Sequence, residues 1–327
     1  MKAAWPWIKR VGTWVFFGLV AWLIVKQARG IDWDDVLAAF SRLPAATLWM
    51  AGGLAAASYA VYSTYDLLGR RVTGHPLGTG TVMGVTFVSY AFNLNLGSLV
   101  GGVASRYRLY SRLGLETETI TRVLGFSMLT NWLGYLVVGG LAFCFWPLDL
   151  PPDWKLDNGG LRLLGAALLA IALAYVVVCA VASDRTWHVR GHAFTPPSLR
   201  MAGLQLAMSC TNWALMAGIL WLLLRQKVPY PEVLAVLLVG AVAGVITHVP
   251  AGLGVLEAVF VALLAHRLPQ GEILAALIGY RALYYIAPLA IAALAFLAME
   301  MSARRLRQAN GDAPGSPPGG GKAAEAR

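Results

Sequence analysis

Two opposite charges lie in apolar segments of the C-terminal half of the chain. Glu257 ends the run GVITHVPAGLGVLE (residues 244–257), and Arg281 stands within IGYRALYY (residues 278–285). Charged side chains are costly in hydrocarbon, and they usually pair with one another or mark a site. A guanidinium binds phosphate oxygens, and a carboxylate binds a cation or a proton. The two residues therefore indicate either a site for a charged ligand or a structural ion pair that locks two segments together.

Two glycine-rich stretches could reverse the chain, and each is followed by a charged residue. The first stretch leads to Arg106 and the second to Glu257, and they read Gly97-Ser-Leu-Val-Gly101-Gly102 and Pro250-Ala-Gly252-Leu-Gly254. Glycine and proline permit a tight break in a helix, and the amide and carbonyl groups freed there need polar partners. The alternative is that the small residues only allow helices to pack closely.

Other polar side chains near these stretches are further candidates for ligand binding. They are Asn93, Asn95, Arg108, Asn131, His248, Tyr280 and Tyr284. For Asn131 the alternative is a hydrogen bond between helices, and for His248 it is a structural role rather than proton transfer. Tyr280 and Tyr284 could serve in packing or as a polar lining around Arg281.

No catalytic residue, metal site or cofactor is predicted. His188 and His192 have i,i+4 spacing but no HExxH motif, and the three cysteines show no CxxC spacing. The segment GTGTVMG (residues 78–84) is not a GxGxxG motif, so nucleotide binding is not supported.

Composition places the chain among multi-span membrane proteins. Of 327 residues, 58% are hydrophobic and 13% are charged, and long apolar runs recur. The prediction is an all-α integral membrane fold with about six full spans and two re-entrant helical hairpins. A short interfacial helix is predicted over residues 31–44. The predicted spans cover residues 11–25, 45–68, 124–146, 161–183, 199–224 and 273–299, and the hairpins cover 79–105 and 233–266.

Basic residues set the predicted orientation, with both termini in the cytoplasm. If 79–105 and 233–266 are hairpins, 17 of the 26 Lys and Arg residues face the cytoplasm, 8 face outward and Arg281 lies in the membrane. The formal net charge of +10 then lies on the inner face. Anionic inner-leaflet lipid satisfies that charge, so no nucleic-acid partner is expected.

The hairpin topology contains two inverted units, about 45–146 and 199–299, within a membrane domain of residues 1–303. Inverted repeats whose broken helices meet near the bilayer midplane are typical of transporters. Arg281 lies nine residues into its predicted span, about 13 Å deep in a core of about 30 Å. Residues 304–327 lack apolar periodicity and are predicted to be a disordered tail.

Four phrases resemble the lysylphosphatidylglycerol synthase transmembrane-region family, over about residues 5–300. They are FSMLTNWLGY, NLNLGSLVGGVASRYRLY, HVPAGLGVLE and GYRALYY. Within that family, the chain most resembles a branch of uncharacterised bacterial inner-membrane proteins. In full-length synthases this region is thought to move an aminoacylated lipid between leaflets while a soluble domain makes it. The residues that match the family pattern are Arg106, Pro250, Gly252, Gly254, Glu257 and Arg281.

The resemblance implies a bacterial inner-membrane phospholipid transporter or flippase-like protein. Its ligands would be anionic or zwitterionic phospholipids, with Arg106 and Arg108 gathering headgroups at the inner leaflet. The alternative is a non-transporting membrane partner of a lipid-synthesising enzyme, and a homo-oligomer is left open. Aminoacyl transfer is not expected because the soluble synthase domain is not in the sequence, and Glu257 as a general base lacks a second carboxylate nearby.

Overall fold

The computed structural model describes residues 41, 43–148, 150, 157–182, 187–189, 192–194, 196–247 and 252–311. The predicted first span, nearly all of the predicted interfacial helix, and the candidates His248 and Pro250 lie outside the described residues.

Helices make up nearly all of the described chain, which confirms the helical membrane fold in outline. Two π-helical segments, π1 and π2, interrupt the α-helical pattern. The elements are α1 (Ala45–Ser63), α2 (Tyr65–Thr73), α3 (Thr79–Leu96), π1 (Ser98–Ala104), α4 (Ser105–Arg112), α5 (Thr117–Phe145), α6 (Asn158–Val181), β1 (Trp187–Val189), β2 (His192–Phe194), α7 (Leu199–Leu223), α8 (Tyr230–Thr247), α9 (Val255–Leu264), α10 (Gln270–Tyr280), π2 (Arg281–Ile286) and α11 (Ala287–Gly311).

Five helical stretches among the described residues are long and apolar enough to cross a bilayer. They are Thr117–Phe145, Asn158–Val181, Leu199–Leu223, Tyr230–Thr247 and Gln270–Met299. Helix α9 is equally apolar but has only 10 residues. At 1.5 Å per residue it would cover about half of the hydrocarbon core.

The span predicted over residues 45–68 is two helices. Thr64 separates α1 from α2, and its hydroxyl donates to the carbonyl of Val61 at 2.6 Å. A threonine bonded to the preceding turn competes with the backbone pattern and bends a helix at that point. The bend turns α2 onto α5.

Both predicted hairpins contain a break at the expected place. In the first, α3 ends at Leu96 and π1 packs back against it. In the second, α8 and α9 pack side by side, and a Cβ added at Gly240 would lie 2.7 Å from Leu256 Cδ1. Glycine at that position lets the two helices approach closely.

Helices of each predicted unit pack against helices of the other unit. Helix α1 packs on α7, and the first arm of each hairpin packs on the last helix of the other unit, α3 on α11 and α8 on α5. The rings of Phe92 and Phe296 lie 5.4 Å apart in the α3–α11 contact. The Tyr135 hydroxyl donates to the carbonyl of Leu238 at 3.2 Å in the α5–α8 contact. In these contacts the first arm of each predicted hairpin packs against the other predicted unit.

Two details differ from the predicted layout. The loop after α6 contains a two-stranded antiparallel ribbon, β1 with β2. Helix α11 continues to Gly311, eight residues into the tail predicted as disordered from residue 304. The sequence there, RRLRQAN, is rich in residues with good helix propensity, and these extend the apolar helix beyond its hydrophobic part.

Candidate functional site

Glu257 and Arg281 form a bidentate ion pair between α9 and π2. Arg281 Nε donates to Glu257 Oε1 at 2.5 Å, and Arg281 Nη2 donates to Oε2 at 2.9 Å. Glu257 lies in the first turn of α9, where the helix dipole favours a negative charge. Arg281 lies eleven residues after α10 begins, about 16 Å along the helix.

The second glycine-rich stretch supplies a third partner for Arg281. The carbonyl of Gly252 accepts a hydrogen bond from Arg281 Nη2 at 3.1 Å. Gly252 and Gly254 have φ of +57° and +77°, a region that glycine occupies without a side-chain penalty. The break before α9 therefore aims a backbone carbonyl and a carboxylate at the same guanidinium.

The Glu257–Arg281 ion pair is partly exposed at the protein surface. The Arg281 side chain is 11% exposed and that of Glu257 is 23% exposed. The guanidinium also lies 5.5 Å from the ring centre of Tyr285. A guanidinium held by hydrogen bonds and a ring, yet still accessible, can accept an anionic ligand without a large rearrangement.

Tyr280 and Tyr284 lie behind Arg281, buried in the protein. Their rings stack at 5.3 Å. The Tyr284 hydroxyl lies 2.7 Å from Ser58 Oγ and 2.9 Å from the Tyr90 hydroxyl. The Tyr280 hydroxyl is buried without a hydrogen-bond partner among the described residues. Tyr284 therefore links α1, α3 and π2, whereas Tyr280 leaves one donor beside the arginine unmatched.

The first glycine-rich stretch is a close contact between backbones. Gly97 has φ of +82°, and a Cβ on Gly101 would lie 2.0 Å from the carbonyl oxygen of Phe92. A Cβ on Gly102 would lie 2.7 Å from the side-chain oxygen of Asn93. Asn93 is thus packed over π1. A larger residue at Gly101 would overlap backbone, whereas one at Gly102 would require the Asn93 side chain to move.

Asn95 joins this first break to π2. Its side-chain amide donates to the carbonyl of Ala91 at 2.8 Å and to that of Tyr285 at 3.2 Å. A π-helical turn shifts the backbone hydrogen bonds, and carbonyls freed in this way can accept from side chains. The side-chain oxygen of Asn95 is buried without a partner among the described residues.

Arg106 is buried inside the protein, whereas its expected role in gathering headgroups needs an exposed side chain. Its side chain is 3% exposed, and its Nε donates to Asp66 Oδ2 at 3.1 Å. The Tyr110 hydroxyl donates to the same oxygen at 2.9 Å. Arg106 Cζ also lies 6.0 Å from the ring centre of Tyr62. A charge this far from water is stable because the carboxylate and the rings replace the solvent.

Arg108 and Asn131 lie on α4 and α5, outside the elements that form the Glu257–Arg281 pair. Arg108 is half-buried on α4, two residues after Arg106. Asn131 contacts α7 through its backbone, since its carbonyl accepts from Ser209 Oγ at 3.0 Å and from Trp213 Nε1 at 3.3 Å. These contacts between α5 and α7 use the backbone of Asn131, so they support neither interpretation of its side chain.

Aromatic rings connect the two ion pairs. Tyr62, beside Arg106, stacks on Tyr90 at 3.5 Å. Tyr90 is bonded to Tyr284, whose ring centre lies 6.1 Å from that of Tyr285 beside Arg281. The two breaks are followed by opposite charges: an arginine follows the first break, and a glutamate follows the second.

Sequence reasoning missed the central part of this arrangement. Asp66 lies inside the span predicted for residues 45–68, so its position within an apolar run was a usable signal. Tyr59, Tyr62 and Tyr65 recur every three residues, which places them near one face of a helix. Within the described part of the chain, no three His, Cys, Asp or Glu residues gather as metal ligands.

Comparison with known proteins identifies relatives over most of the chain. The family model described as the lysylphosphatidylglycerol synthase TM region matches residues 11–292. Inner membrane protein YbhN of Escherichia coli is 46% identical, with 94% of this chain and 96% of that protein aligned. The uncharacterized protein slr0712 of Synechocystis is 31% identical, with 86% and 88% aligned.

A more distant similarity connects the chain to named enzymes. Phosphatidylglycerol lysyltransferase of Staphylococcus aureus is 25% identical over 294 residues, which is 84% of this chain. The alignment covers only 32% of the lysyltransferase. The chain thus spans about a third of the length of these enzymes.

Proposed function

Since the chain belongs to the lysylphosphatidylglycerol synthase transmembrane-region family, we propose that it moves phospholipid headgroups across the bacterial inner membrane through the Glu257–Arg281 site. The relative named an inner membrane protein and the five apolar helical stretches make it a multi-pass protein of that membrane. One observation carries the proposal. A bidentate ion pair lies at a helix break, and both side chains remain accessible. Its location near the middle of the membrane is part of the proposal.

Exchange of partners is the chemistry that such a pair offers to a headgroup. A lipid phosphate has the same bidentate geometry toward Arg281 as the Glu257 carboxylate has. When phosphate replaces the carboxylate, Glu257 is released to bind an ammonium group of a zwitterionic headgroup or to take a proton with an anionic one. Each charge is then matched throughout, so the headgroup avoids the desolvation penalty that bare hydrocarbon imposes.

The two helix breaks would provide the route. Inverted units with broken helices near the midplane support alternating access by rocking of one unit against the other. Their re-entrance from opposite sides and the orientation of the termini are parts of this proposal. The reciprocal α3–α11 and α8–α5 packing supports it, because each unit holds the hairpin of the other.

Reconstitution into vesicles tests the transport activity. Purified protein is placed in phosphatidylglycerol–phosphatidylethanolamine vesicles that carry a fluorescent phospholipid, and an impermeant reductant reports lipid that reaches the outer leaflet. We expect Arg281→Ala and Glu257→Gln to lower the rate at least tenfold, which corresponds to about 1.4 kcal/mol.

Matched controls come from the exposed ion pair between Arg122 and Glu118, which has the same chemistry at the surface. Arg122→Ala and Glu118→Gln should leave the rate unchanged. Equal rates for wild type and both site variants would refute the site. A wild-type rate no higher than that of protein-free vesicles would refute the activity.

A second candidate function is a membrane partner for a lipid-synthesising enzyme. It is favoured by the lysyltransferases, in which the matched region is part of a longer protein named for an enzymatic activity. Deletion of residues 312–327, beyond the end of α11, should then abolish co-purification with such an enzyme. Retained co-purification would exclude that segment as the contact.

A further inference from the structure

An apolar groove of about 540 Å³ opens between the two units, on the side of the molecule formed by α1, α3 and α11. Its wall on α1 consists of small residues, among them Gly52, Ala56 and Ala60, and its floor includes Tyr59 and Phe87. The α1 face extends from Gly52 to Ser63, about 16 Å along the helix axis. The apolar side chains of α1 and α11 make the opening of the groove suitable for contact with hydrocarbon.

The dimensions of the groove favour one hydrocarbon chain. Its volume of about 540 Å³ over a length of about 16 Å gives a mean cross-section of roughly 30 Å². A helix about 10 Å across needs a cross-section of roughly 80 Å². A groove of this width can enclose an acyl chain, whereas a helix could rest only on its opening.

One end of the groove lies close to a concentration of positive charge. Met83 and Gly84 of α3 line the groove, and α3 begins at Thr79, about one turn earlier. The residue before this helix, Gly78, provides no side-chain cap, so the first amide groups have no partner within the helix. These amides carry the positive end of the helix dipole.

A cation is held at the same place. Arg70 Nη1 donates to the carbonyl of Leu77 at 2.9 Å, which fixes a guanidinium two residues before α3 begins. An anion at the start of α3 would meet both open amides and this charge. The segment GTGTVMG, residues 78–84, thus supplies the polar end and part of the apolar wall.

We propose that this groove binds one anionic phospholipid, with an acyl chain along α1 and the phosphate at the start of α3 beside Arg70. The site lies apart from the Glu257–Arg281 pair and holds a lipid whether or not the protein transports one. The apolar wall, the length and the charge at one end each match a different part of the same molecule.

Photocrosslinking tests the site directly. The purified full-length protein is incubated with phosphatidylglycerol that carries a diazirine in one acyl chain, irradiated, and digested for mass spectrometry. We expect label on Met83 and on α1 or α11 residues of the groove. Label spread evenly over all membrane-facing helices, or crosslinks between two copies of the chain at this face, would overturn the proposal.

A pair of neighbouring glycines gives a matched substitution. A Cβ added at Gly52 or at Gly53 meets no atom within 4 Å, so a side chain can leave the backbone at either position without overlap. Gly52 lines the groove, whereas Gly53 does not. Gly52→Leu should lower groove labelling at least fivefold, and Gly53→Leu should leave it unchanged. Equal labelling of the two variants would overturn the acyl-chain site.

The polar end has its own pair of variants. Thr79→Glu adds a negative charge that suits a helix start but repels a phosphate, and Thr79→Gln is the neutral control. The glutamate variant should bind phosphatidylglycerol at least fivefold more weakly, with the glutamine variant near wild type. Equal affinity of both variants would place the phosphate elsewhere. These outcomes are independent of the vesicle transport rate, so either proposal can fail without the other.

Discussion

Arg106 and Arg281 show how burial separates two arginines with similar partners. Arg106 and Asp66 are 3% and 0% exposed, whereas Arg281 and Glu257 are 11% and 23% exposed. A ligand that approaches Arg106 must first open the protein, but one that approaches Arg281 need not. The Asp66–Arg106 pair is therefore a structural contact, and the Glu257–Arg281 pair is the one that can exchange a partner for a ligand.

Removal of one partner tests the structural role of Arg106. Asp66→Ala leaves a buried guanidinium with no carboxylate, and we expect a loss of about 3–5 kcal/mol in stability. Arg106→Met alone should cost a similar amount. The double variant should lose much less than the sum, because no unpaired charge remains. Thermal unfolding in detergent measures all three, and additive losses would show that the two residues do not interact.

His75 predicts a pH dependence outside the membrane-spanning helices. It lies in the loop before α3, and burial, followed by the charge of Arg70, lowers the pKa of its imidazole, although Asp66 acts in the opposite sense. The unfolded chain then binds the proton more readily than the folded chain. Stability should be complete above about pH 6.5 and should fall as the pH drops below it, by at most about 1.4 kcal/mol per pH unit.

The variant His75→Gln cannot take up this proton. Its apparent melting temperature should fall less than that of wild type between pH 7.5 and pH 5.5. Thermal unfolding at several pH values in one detergent measures the difference. An identical pH profile for both proteins would mean that His75 is not the group responsible.

At the scale of elements, the helix breaks depend on backbone contact rather than on flexibility. Gly101 lies so close to Phe92 that a methyl group would overlap its carbonyl. Gly101→Ala must therefore separate π1 from α3, and we expect a cost of about 1–3 kcal/mol or more. Gly125→Ala on α5 is the control, since a Cβ there meets no atom within 4 Å. It should be neutral or slightly stabilising, and equal melting temperatures for the two variants would contradict the close contact.

The positions of most helices follow from apolar runs, because hydrocarbon length constrains them strongly. The predicted span 199–224 is observed as Leu199–Leu223. Helix α5 starts at Thr117, seven residues before its predicted start, because its first turns are polar and hydropathy does not register them. Such turns are recognised by helix propensity and capping instead.

The candidate site could be predicted in part. Glu257 and Arg281 stood out as isolated charges, and they do pair. The π-helical segments carry no compositional signal, since a π-turn is fixed by packing around it. For the same reason, the bonds of Asn95 and Tyr59 to carbonyls of π2 could not be foreseen. Asp66 lies within a predicted span, but its partner Arg106 is 40 residues away in the sequence, and only the fold brings them together.

At the scale of the molecule, a hub of hydroxyl groups joins the two units. Ser58 Oγ donates to Asn212 Oδ1 at 2.6 Å and contacts the Tyr284 hydroxyl, so α1, α7 and π2 meet at one point. Any motion that separates the units must break these bonds together. This makes the interface suited to two discrete arrangements rather than to gradual change.

At the scale of the whole molecule, the membrane topology can be measured directly. The two units are inverted copies only if each hairpin enters and leaves the membrane on a single side. Single cysteines are introduced in a variant lacking Cys144, Cys179 and Cys210. One pair, Val72→Cys and Ser111→Cys, flanks α3–π1–α4, and the other, Lys227→Cys and Gly271→Cys, flanks α8–α9; all four positions are exposed. An impermeant maleimide on intact spheroplasts should label the second pair only, and the first pair should react after lysis, because a hairpin returns to its own side. Opposite labelling within either pair would show that the corresponding segment crosses the membrane, and the units would then not be inverted copies.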